Sequence, residues 1–531
     1  MKLRTDIVRM YKDIHGWVGI VSGLALFIAF YAGAITMFEE PLQRWASAPS
    51  RLAPPPTLTH TPDLIAKAIT AHPDAAKRYE IHLDTSPAQP ARMSWPASDG
   101  GDEHGLVSTV YASLAPDGVL QVETSAPSAV AQLIDVLHQQ VGLPFSHEIA
   151  MPIMGAISLL YVIALVSGVI VLLPSLVKDL FALRVGRNVK RMWLDVHNVL
   201  GVFSLPFHLV MALTAVIFAF HDQFYDAQAA AFGQGAPPAR TAAALPPAAQ
   251  PLPPAEIVRR MAEQAPTFAI STMTYAEGRD GRLALRIAGS DPRYGLRGAT
   301  FGIAVVDPAS GRITGADYMP GKQDGWGATI SSFFALHFGN FGGLAIRWAY
   351  FLLGLAGAFL FYTGNLLWIE SRRKRERKAG AVEQSRSTRV LGALTVGVPL
   401  GCIAGISVTV AAAKLIGDTA SYGMHSAIYY AVFVIFTGWA LVRGASRAGV
   451  EAARAAALAM LLVPFASLIR AGTWHGDSGL LLIDLTALAI GGLLFAASRS
   501  AKRRADTGPS DSVWADKGVA GAKSPACGAN D

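Results

Sequence analysis

Eight long apolar segments constrain the fold of this chain more than any other feature of its sequence. The hydrocarbon core of a membrane is about 30 Å thick, and a helix needs about 20 apolar residues to cross it. The segments are residues 16–38, 151–173, 198–220, 343–369, 390–413, 425–442, 452–471 and 479–497. Only 16% of the residues are charged, against about 25% in soluble domains. The sequence therefore predicts a mainly α, polytopic helical bundle in a lipid membrane and excludes a purely cytosolic enzyme.

Lysine and arginine clusters predict the orientation of these helices. They lie before the first segment, between the second and third, and after the fourth, sixth and eighth. If the segments alternate in direction, all of these clusters fall on one side, which the positive-inside rule makes cytoplasmic. We therefore expect cytoplasmic termini and an uncleaved first segment, which is longer than a signal peptide's apolar core. The net charge of +7 reflects this topology and does not indicate a nucleic-acid partner.

The two long stretches that face the other side share one plan. Each begins with a Pro/Ala-rich linker and continues with a short amphipathic helix, strand-like runs and turn signals. These patterns predict two small α+β modules, at 40–137 and 222–336. The other predicted parts are a first helix in 1–39, two helices and a basic loop in 138–221, a fourth helix in 337–371, a basic loop in 372–389, four helices in 390–498 and a disordered tail in 499–531.

An internal duplication relates the first four segments. The seven-residue motif DIHGWVG at 13–19 opens the first segment, and the similar motif DVHNVLG at 195–201 opens the third. Leu-His pairs precede the second and fourth segments, at His138 and His337. The first four helices are therefore predicted to be two parallel copies of one unit, related by an axis along the membrane normal.

The duplication makes four histidines candidate ligands. His15 and His197 occupy equivalent places at the cytoplasmic surface, and His138 and His337 do so at the outer surface. Two imidazoles opposed across an axis are what a bis-histidine haem requires. These residues therefore predict two haem groups, one above the other, with the histidines as axial iron ligands.

His208 is a fifth candidate. It follows His197 by three helical turns, which on a straight helix gives the same face about 16 Å deeper. A titratable side chain at that depth indicates a functional site, but the equivalent position in the first copy is Leu26. His208 either replaces one outer histidine as a haem ligand or hydrogen-bonds to a propionate or a backbone carbonyl.

Smaller signals near these histidines have two interpretations each. Asp13 and Asp195 either orient the adjacent imidazoles or cap helices. The glycines of the first segment, Gly16, Gly19 and Gly23, fit either close helix packing or space beside a flat cofactor. The remaining histidines of the later segments, His425 and His475, are predicted to be structural.

In these residues the chain resembles the PepSY-associated transmembrane family. The resemblance covers about residues 5–375 and rests on the two seven-residue motifs, on LPFHLVMALT at 205–214 and on LHFGNFGG at 336–343. It implies PepSY-like folds for the two modules, which would be periplasmic, and an inner-membrane reductase containing haem b. Such a protein passes electrons outward to Fe(III) held by siderophores. No cytoplasmic loop is long enough for a nicotinamide or flavin domain, so the expected donor is quinol or a separate cytoplasmic flavin reductase.

Two other functions fit the same sequence. One is a haem-free membrane anchor whose modules bind or inhibit a periplasmic peptidase or signalling partner. The other is a transporter for iron or a small chelate, which eight helices with a parallel repeat would allow. The histidines paired by the repeat favour the reductase, because an anchor does not require them.

Overall fold

The computed structural model describes residues 4–98, 108–125, 128–176, 184, 189–232, 250–278, 281–296, 302–380, 383–417, 420–471 and 477–516. The chain divides into two compact units. The first comprises Met1–Ala46, Ser128–Phe220 and Tyr350–Asp531, and the second comprises Ser47–Pro127 and His221–Ala349.

Helices dominate the described residues. They are α1 (Thr5–Thr36), α2 (Glu39–Ala46), α3 (Thr61–Ala71), α4 (Ala129–Gln139), α5 (His147–Leu172), α6 (Val189–Phe203), α7 (Leu205–Ala219), α8 (His221–Phe232), α9 (Pro254–Gln264), α10 (Gly325–Phe338), α11 (Gly343–Lys378), α12 (Arg386–Ile416), α13 (Tyr422–Ala471) and α14 (Ser478–Thr507). Within these residues, six helices are long and apolar enough to cross a membrane: α1, α5, α11, α12, α13 and α14. A seventh span is formed if α6 and α7, which are bent by 70° to each other, count as one. The predicted polytopic helical fold is confirmed.

Helix α13 contains two of the predicted segments because the chain folds back within it. Gly444 has non-helical angles, φ 77° and ψ 158°. On either side of it, Trp439 Nε1 donates to Glu451 Oε2 over 2.8 Å, and Arg443 pairs with the same carboxylate. On a straight helix, Trp439 and Glu451 would be about 18 Å apart. Gly444 therefore separates α13 into two helical parts, which correspond to the sixth and seventh predicted segments.

Helix α1 has two faces, each of which packs against a different group of helices. At about 100° per residue, His15, Gly19, Leu26, Phe30 and Gly33 share one face. Leu26 packs there with residues of α5 and α7. The opposite face, which includes Phe27 and Tyr31, joins a buried cluster with α12 and α13. His15 and Leu26 therefore lie on a different face of α1 from the one that packs against α12 and α13.

The second unit contains one continuous antiparallel sheet. Its strands are β1 (Arg78–His82), β2 (Met93–Pro96), β3 (Thr109–Leu114), β4 (Leu120–Ser125), β5 (Ala269–Glu277), β6 (Leu283–Ser290), β7 (Gly302–Val306) and β8 (Ile313–Tyr318). They lie in the order β4-β3-β2-β1-β5-β6-β7-β8. The two predicted α+β modules are thus joined through β1 and β5, where Tyr79 pairs with Tyr275 and their rings stack 4.8 Å apart.

The two faces of this sheet are covered differently. On one face, Leu64 of α3 and Ile257 of α9 pack with the buried sheet residues in a single apolar cluster. The other face holds the first Pro-rich linker in an extended form. There, Glu123 accepts hydrogen bonds from Ser50 and from the Arg51 amide. The segment predicted only as a linker is therefore fixed along the sheet.

The C-terminal segment is folded further than the predicted disordered tail would allow. Helix α14 continues to Thr507, and the next residues pack back onto the helical unit. Trp514 is buried in a cluster with residues of α11, α12 and α13. Arg373 of α11 pairs with both Glu370 and Asp511. Arg373 and Asp511 are far apart in sequence, so local composition alone did not reveal the docking. Residues 517–531 lie outside the described part of the chain.

We predict that Tyr275→Ala lowers the thermal midpoint of the purified full-length protein. Truncating this fully buried ring removes the stacking at the β1–β5 junction and should cost about 3–5 kcal/mol, as for other buried aromatic residues. The matched control is Tyr318→Ala, because Tyr318 is an exposed tyrosine on β8. Equal midpoints for the two variants would contradict a central role for the stacked pair.

Candidate functional site

The structure brings His15 of α1 and His197 of α6 together. Their ring centroids are 6.1 Å apart, and the ring planes are inclined by 73°. Bonds between metals and imidazole nitrogens are about 2 Å long, so two imidazoles on opposite sides of one iron have centroids roughly 6 Å apart. The predicted pairing of these histidines therefore has the separation that a shared axial ligand pair requires.

Hydrogen bonds orient both imidazoles of this pair. His15 Nδ1 bonds to the Ala164 carbonyl of α5 at 2.8 Å, and a carbonyl can only accept. His197 Nδ1 bonds to Thr363 Oγ1 at 3.0 Å, while the Thr363 hydroxyl donates its proton to the Leu360 carbonyl. In both neutral rings, Nδ1 therefore carries the proton and Nε2 carries the lone pair.

His138 and His208 lie against the same turn of α1. His138 Nδ1 donates to the Ala29 carbonyl at 2.8 Å, and a Cβ atom at Gly33 would come within 2.6 Å of that nitrogen. The His208 ring lies 5.4 Å from the ring of Phe30, which belongs to the same turn. The structure thus places these two candidates near one another along α1.

His208 has one nitrogen held and one without a partner. Its Nδ1 lies 2.5 Å from the Tyr161 hydroxyl, which also donates to the main-chain carbonyl of His208 at 3.2 Å. Because the phenol has one proton, both bonds form together only if Nδ1–H donates to Tyr161. The Nε2 atom then carries the lone pair, and it is buried without a hydrogen-bond partner among the described residues. Such an atom costs about 1–3 kcal/mol unless something binds it.

Glycines on neighbouring helices make room for three of the four rings. A Cβ atom at Gly168 would lie 2.9 Å from His15 Cε1, and one at Gly357 would lie 3.1 Å from His208 Cε1. Gly33 plays the same part for His138, whereas a Cβ atom at Gly364 would make an ordinary contact with His197 Cε1, at 3.6 Å. The close approach of α5, α11 and α1 to these imidazoles therefore depends on the absence of side chains.

Other glycines leave open space beside the first pair. A Cβ atom at Gly16 or Gly19 would meet nothing within 4 Å, and one at Gly201 would meet only Leu360 Cδ1 at 3.9 Å. Gly19 and Gly201 each follow the nearby histidine by one helical turn, on the same face. At Gly16 and Gly19 the structure therefore shows no close helix packing. Gly23, which approaches Asn365 at 3.3 Å, is a packing position.

The distance between the two histidine levels is shorter than a straight helix would give. His197 contacts α11 at Gly364, and His208 contacts it at Gly357. These positions are about 10 Å apart along α11. The 16 Å expected from the sequence is wrong because the chain bends by 70° between α6 and α7. Pro206, the second residue of α7, lacks an N–H group and ends the α6 hydrogen-bond pattern, and it was visible in the sequence.

The remaining candidates have different positions. His337 lies on α10 in the second unit, so its predicted pairing with His138 stays a prediction. Asp195 is buried and pairs with Arg184 and Arg191. The acceptors for His15 Nδ1 and His197 Nδ1 are the Ala164 carbonyl and the Thr363 hydroxyl rather than aspartates. His425 is buried on α13, and His475 lies outside the described residues.

The sequence analysis missed two side chains that hydrogen-bond to candidate histidines, Tyr161 and Thr363. Each is a polar residue in the middle of an apolar segment, which is a signal that could have identified it. The main-chain acceptors, Ala164 and Ala29, carry no such signal because any residue supplies a carbonyl. Among the described residues no cluster of three or more metal-ligating side chains occurs. Pairs of histidines suit haem iron, whose porphyrin supplies the other four ligands.

The fold and these histidines define a polytopic helical membrane protein that also carries an eight-stranded antiparallel sheet. Two levels of oriented imidazoles lie between its helices. The chain belongs to the family described as the PepSY-associated TM region, whose model matches residues 13–371. The match confirms the resemblance seen in the sequence and ends before α12. No curated protein matches the chain.

We predict that Gly168→Leu lowers the thermal midpoint, because the new side chain would collide with the His15 ring. Overpacking of this kind typically costs about 1–3 kcal/mol. The matched control is Gly492→Leu in α14, where a Cβ atom meets nothing within 4 Å. Thermal unfolding of the two detergent-purified variants makes the comparison, and an undisturbed Gly168→Leu protein would contradict the position of His15.

Proposed function

We propose that this chain is a haem-containing reductase of the bacterial inner membrane that delivers electrons to ferric iron chelates, siderophores among them, in the periplasm. The observation that carries the proposal is the 6.1 Å separation of the His15 and His197 rings, with both Nδ1 atoms held by acceptors. In that arrangement both rings carry their lone pair on Nε2, the nitrogen that remains for a metal. A scaffold without a cofactor has no need of it.

The chain offers ligands for two haem b groups. His15 and His197 would hold the first, on the cytoplasmic side of the predicted topology. Two of His138, His208 and His337 would hold the second, and the shared α1 turn supports His138 with His208. Bound haem would supply one-electron chemistry, at potentials that the axial ligands help to set.

The residues around His208 provide the surroundings that such a site needs. The Phe30 ring lies 5.1 Å from Phe361 and 5.7 Å from Tyr161. Phe207 completes this aromatic cluster on the other side of Phe30. The cluster excludes water from the imidazole, so that hydrogen bonds and charges act there in a low-dielectric medium.

The electrons balance with donors of a known chemical class. Oxidation of one quinol to quinone releases two electrons and two protons, and it reduces two Fe(III) ions to Fe(II). A reduced flavin carried by a separate cytoplasmic reductase would supply the same number. The hard oxygen ligands of a chelate hold Fe(II) less strongly than Fe(III), so reduction favours release of the metal.

We predict that the detergent-purified protein binds about two haems per chain. Absorption spectra before and after dithionite, with a pyridine haemochrome assay, measure the content. His15→Ala and His197→Ala should each lose about one haem, because each removes one ligand of the same pair. The exposed His60→Ala serves as the control and should keep the wild-type content.

A colourless protein that also fails to take up added haem would overturn the proposal. The haem-free anchor acting on a periplasmic partner would then be the better hypothesis. Uptake of iron by reconstituted vesicles without any electron donor would instead favour the transporter.

A further inference from the structure

The four oriented histidines do not share one kind of acceptor. His15 and His138 donate to main-chain carbonyls, and His197 donates to a threonine hydroxyl. Only His208 depends on a phenol, that of Tyr161. A carbonyl is present whatever the side chain at that position, whereas the phenol of Tyr161 exists only because of this one residue.

Tyr161 is attached to both the ring and the main chain of His208. Its oxygen lies 2.5 Å from Nδ1 and 3.2 Å from the carbonyl oxygen of the same residue. The Tyr161 ring is itself fixed between Phe30 and Phe361, at 5.7 Å from each. It is buried, at 4% exposure, so water does not compete for these bonds. Two attachments from one immobile group define the orientation of the imidazole.

We propose that Tyr161 is a positioning residue that holds His208 in the Nδ1–H tautomer with Nε2 as its ligand atom. The inference rests on the proposed function and concerns one of its two haem sites. Without the phenol, the proton of the neutral ring is free to move to Nε2. An Nε2–H group cannot bind a metal, and it would have no acceptor among the described residues around it.

The same bond tunes the ligand electronically. An acceptor for Nδ1–H raises the basicity of the coordinating nitrogen, which stabilises the ferric state relative to the ferrous state. Loss of the acceptor therefore raises the reduction potential at the His208 site. Losing such a partner typically costs about 10–100-fold in metal affinity or activity. A tenfold loss confined to the ferric state corresponds to about 59 mV for a one-electron couple.

The test is a spectroelectrochemical titration of the full-length, haem-loaded protein in detergent, with Tyr161→Phe. We expect one of the two reduction steps to move to higher potential while the other stays in place. Thr363→Val, which removes the acceptor of His197, should move the other step. The control is Tyr429→Phe, because Tyr429 is a buried tyrosine packed with α12 on the opposite side of α1.

The outcomes separate this inference from the proposed function. A wild-type protein that binds no haem overturns both. A protein that binds two haems, but whose Tyr161→Phe variant keeps both potentials, overturns only the role of Tyr161. The same is true if Tyr161→Phe and Tyr429→Phe shift the potentials alike. Thermal midpoints recorded in parallel distinguish a local change at His208 from partial unfolding, since the phenylalanine ring keeps the aromatic packing.

Discussion

A polar nitrogen inside an apolar helical bundle costs free energy unless it is hydrogen-bonded or binds something, because no water is present to compensate for it. Each of the four candidate imidazoles in the helical unit, those of His15, His138, His197 and His208, satisfies this requirement at Nδ1, through a carbonyl, a threonine or a tyrosine. The Nε2 atom of His208 is left without a hydrogen-bond partner among the described residues. The glycines beside the rings, the bend before His208 and the aromatic cluster around it all follow from placing these nitrogens between helices.

Helix α1 connects this arrangement to the rest of the helical unit. One of its faces meets the histidines, and the other packs against α12 and α13, which lie beyond the family match. The end of α1 is held through α2, where Trp45 donates to the buried carboxylate of Asp484 at 3.3 Å. Lys414 donates to the Trp45 carbonyl, and Ser467 donates to Asp484. The C-terminal helices thus pack against the face of α1 that includes Phe27 and Tyr31, and they contribute no candidate ligand.

Local patterns predicted the apolar segments and the repeat, because short motifs reveal both. The repeat in turn predicted the pairing of His15 with His197, because it gives them equivalent positions. Features that depend on distant partners could not be predicted in this way. The β1–β5 junction joins strands from different modules, and the acceptor for His15 is a main-chain atom of Ala164. Pro206 was visible in the sequence, but the apolar segment continues through it, so a bend was not predicted there. Tyr161 was overlooked because a single tyrosine in an apolar helix usually serves packing.

The symmetry of the sheet has a consequence for how such a chain can change. A single copy of the repeated unit would leave β1 as an open edge strand, and an open edge pairs readily with a second identical chain. The β1–β5 junction has the geometry of such a homodimer, here joined in one polypeptide. Covalent fusion frees each half to vary alone. The second half carries His208, whereas the first carries Leu26, which packs in the same cluster as Tyr161. A homodimer would carry the same residue at both positions, whereas the fused chain carries histidine at one and leucine at the other.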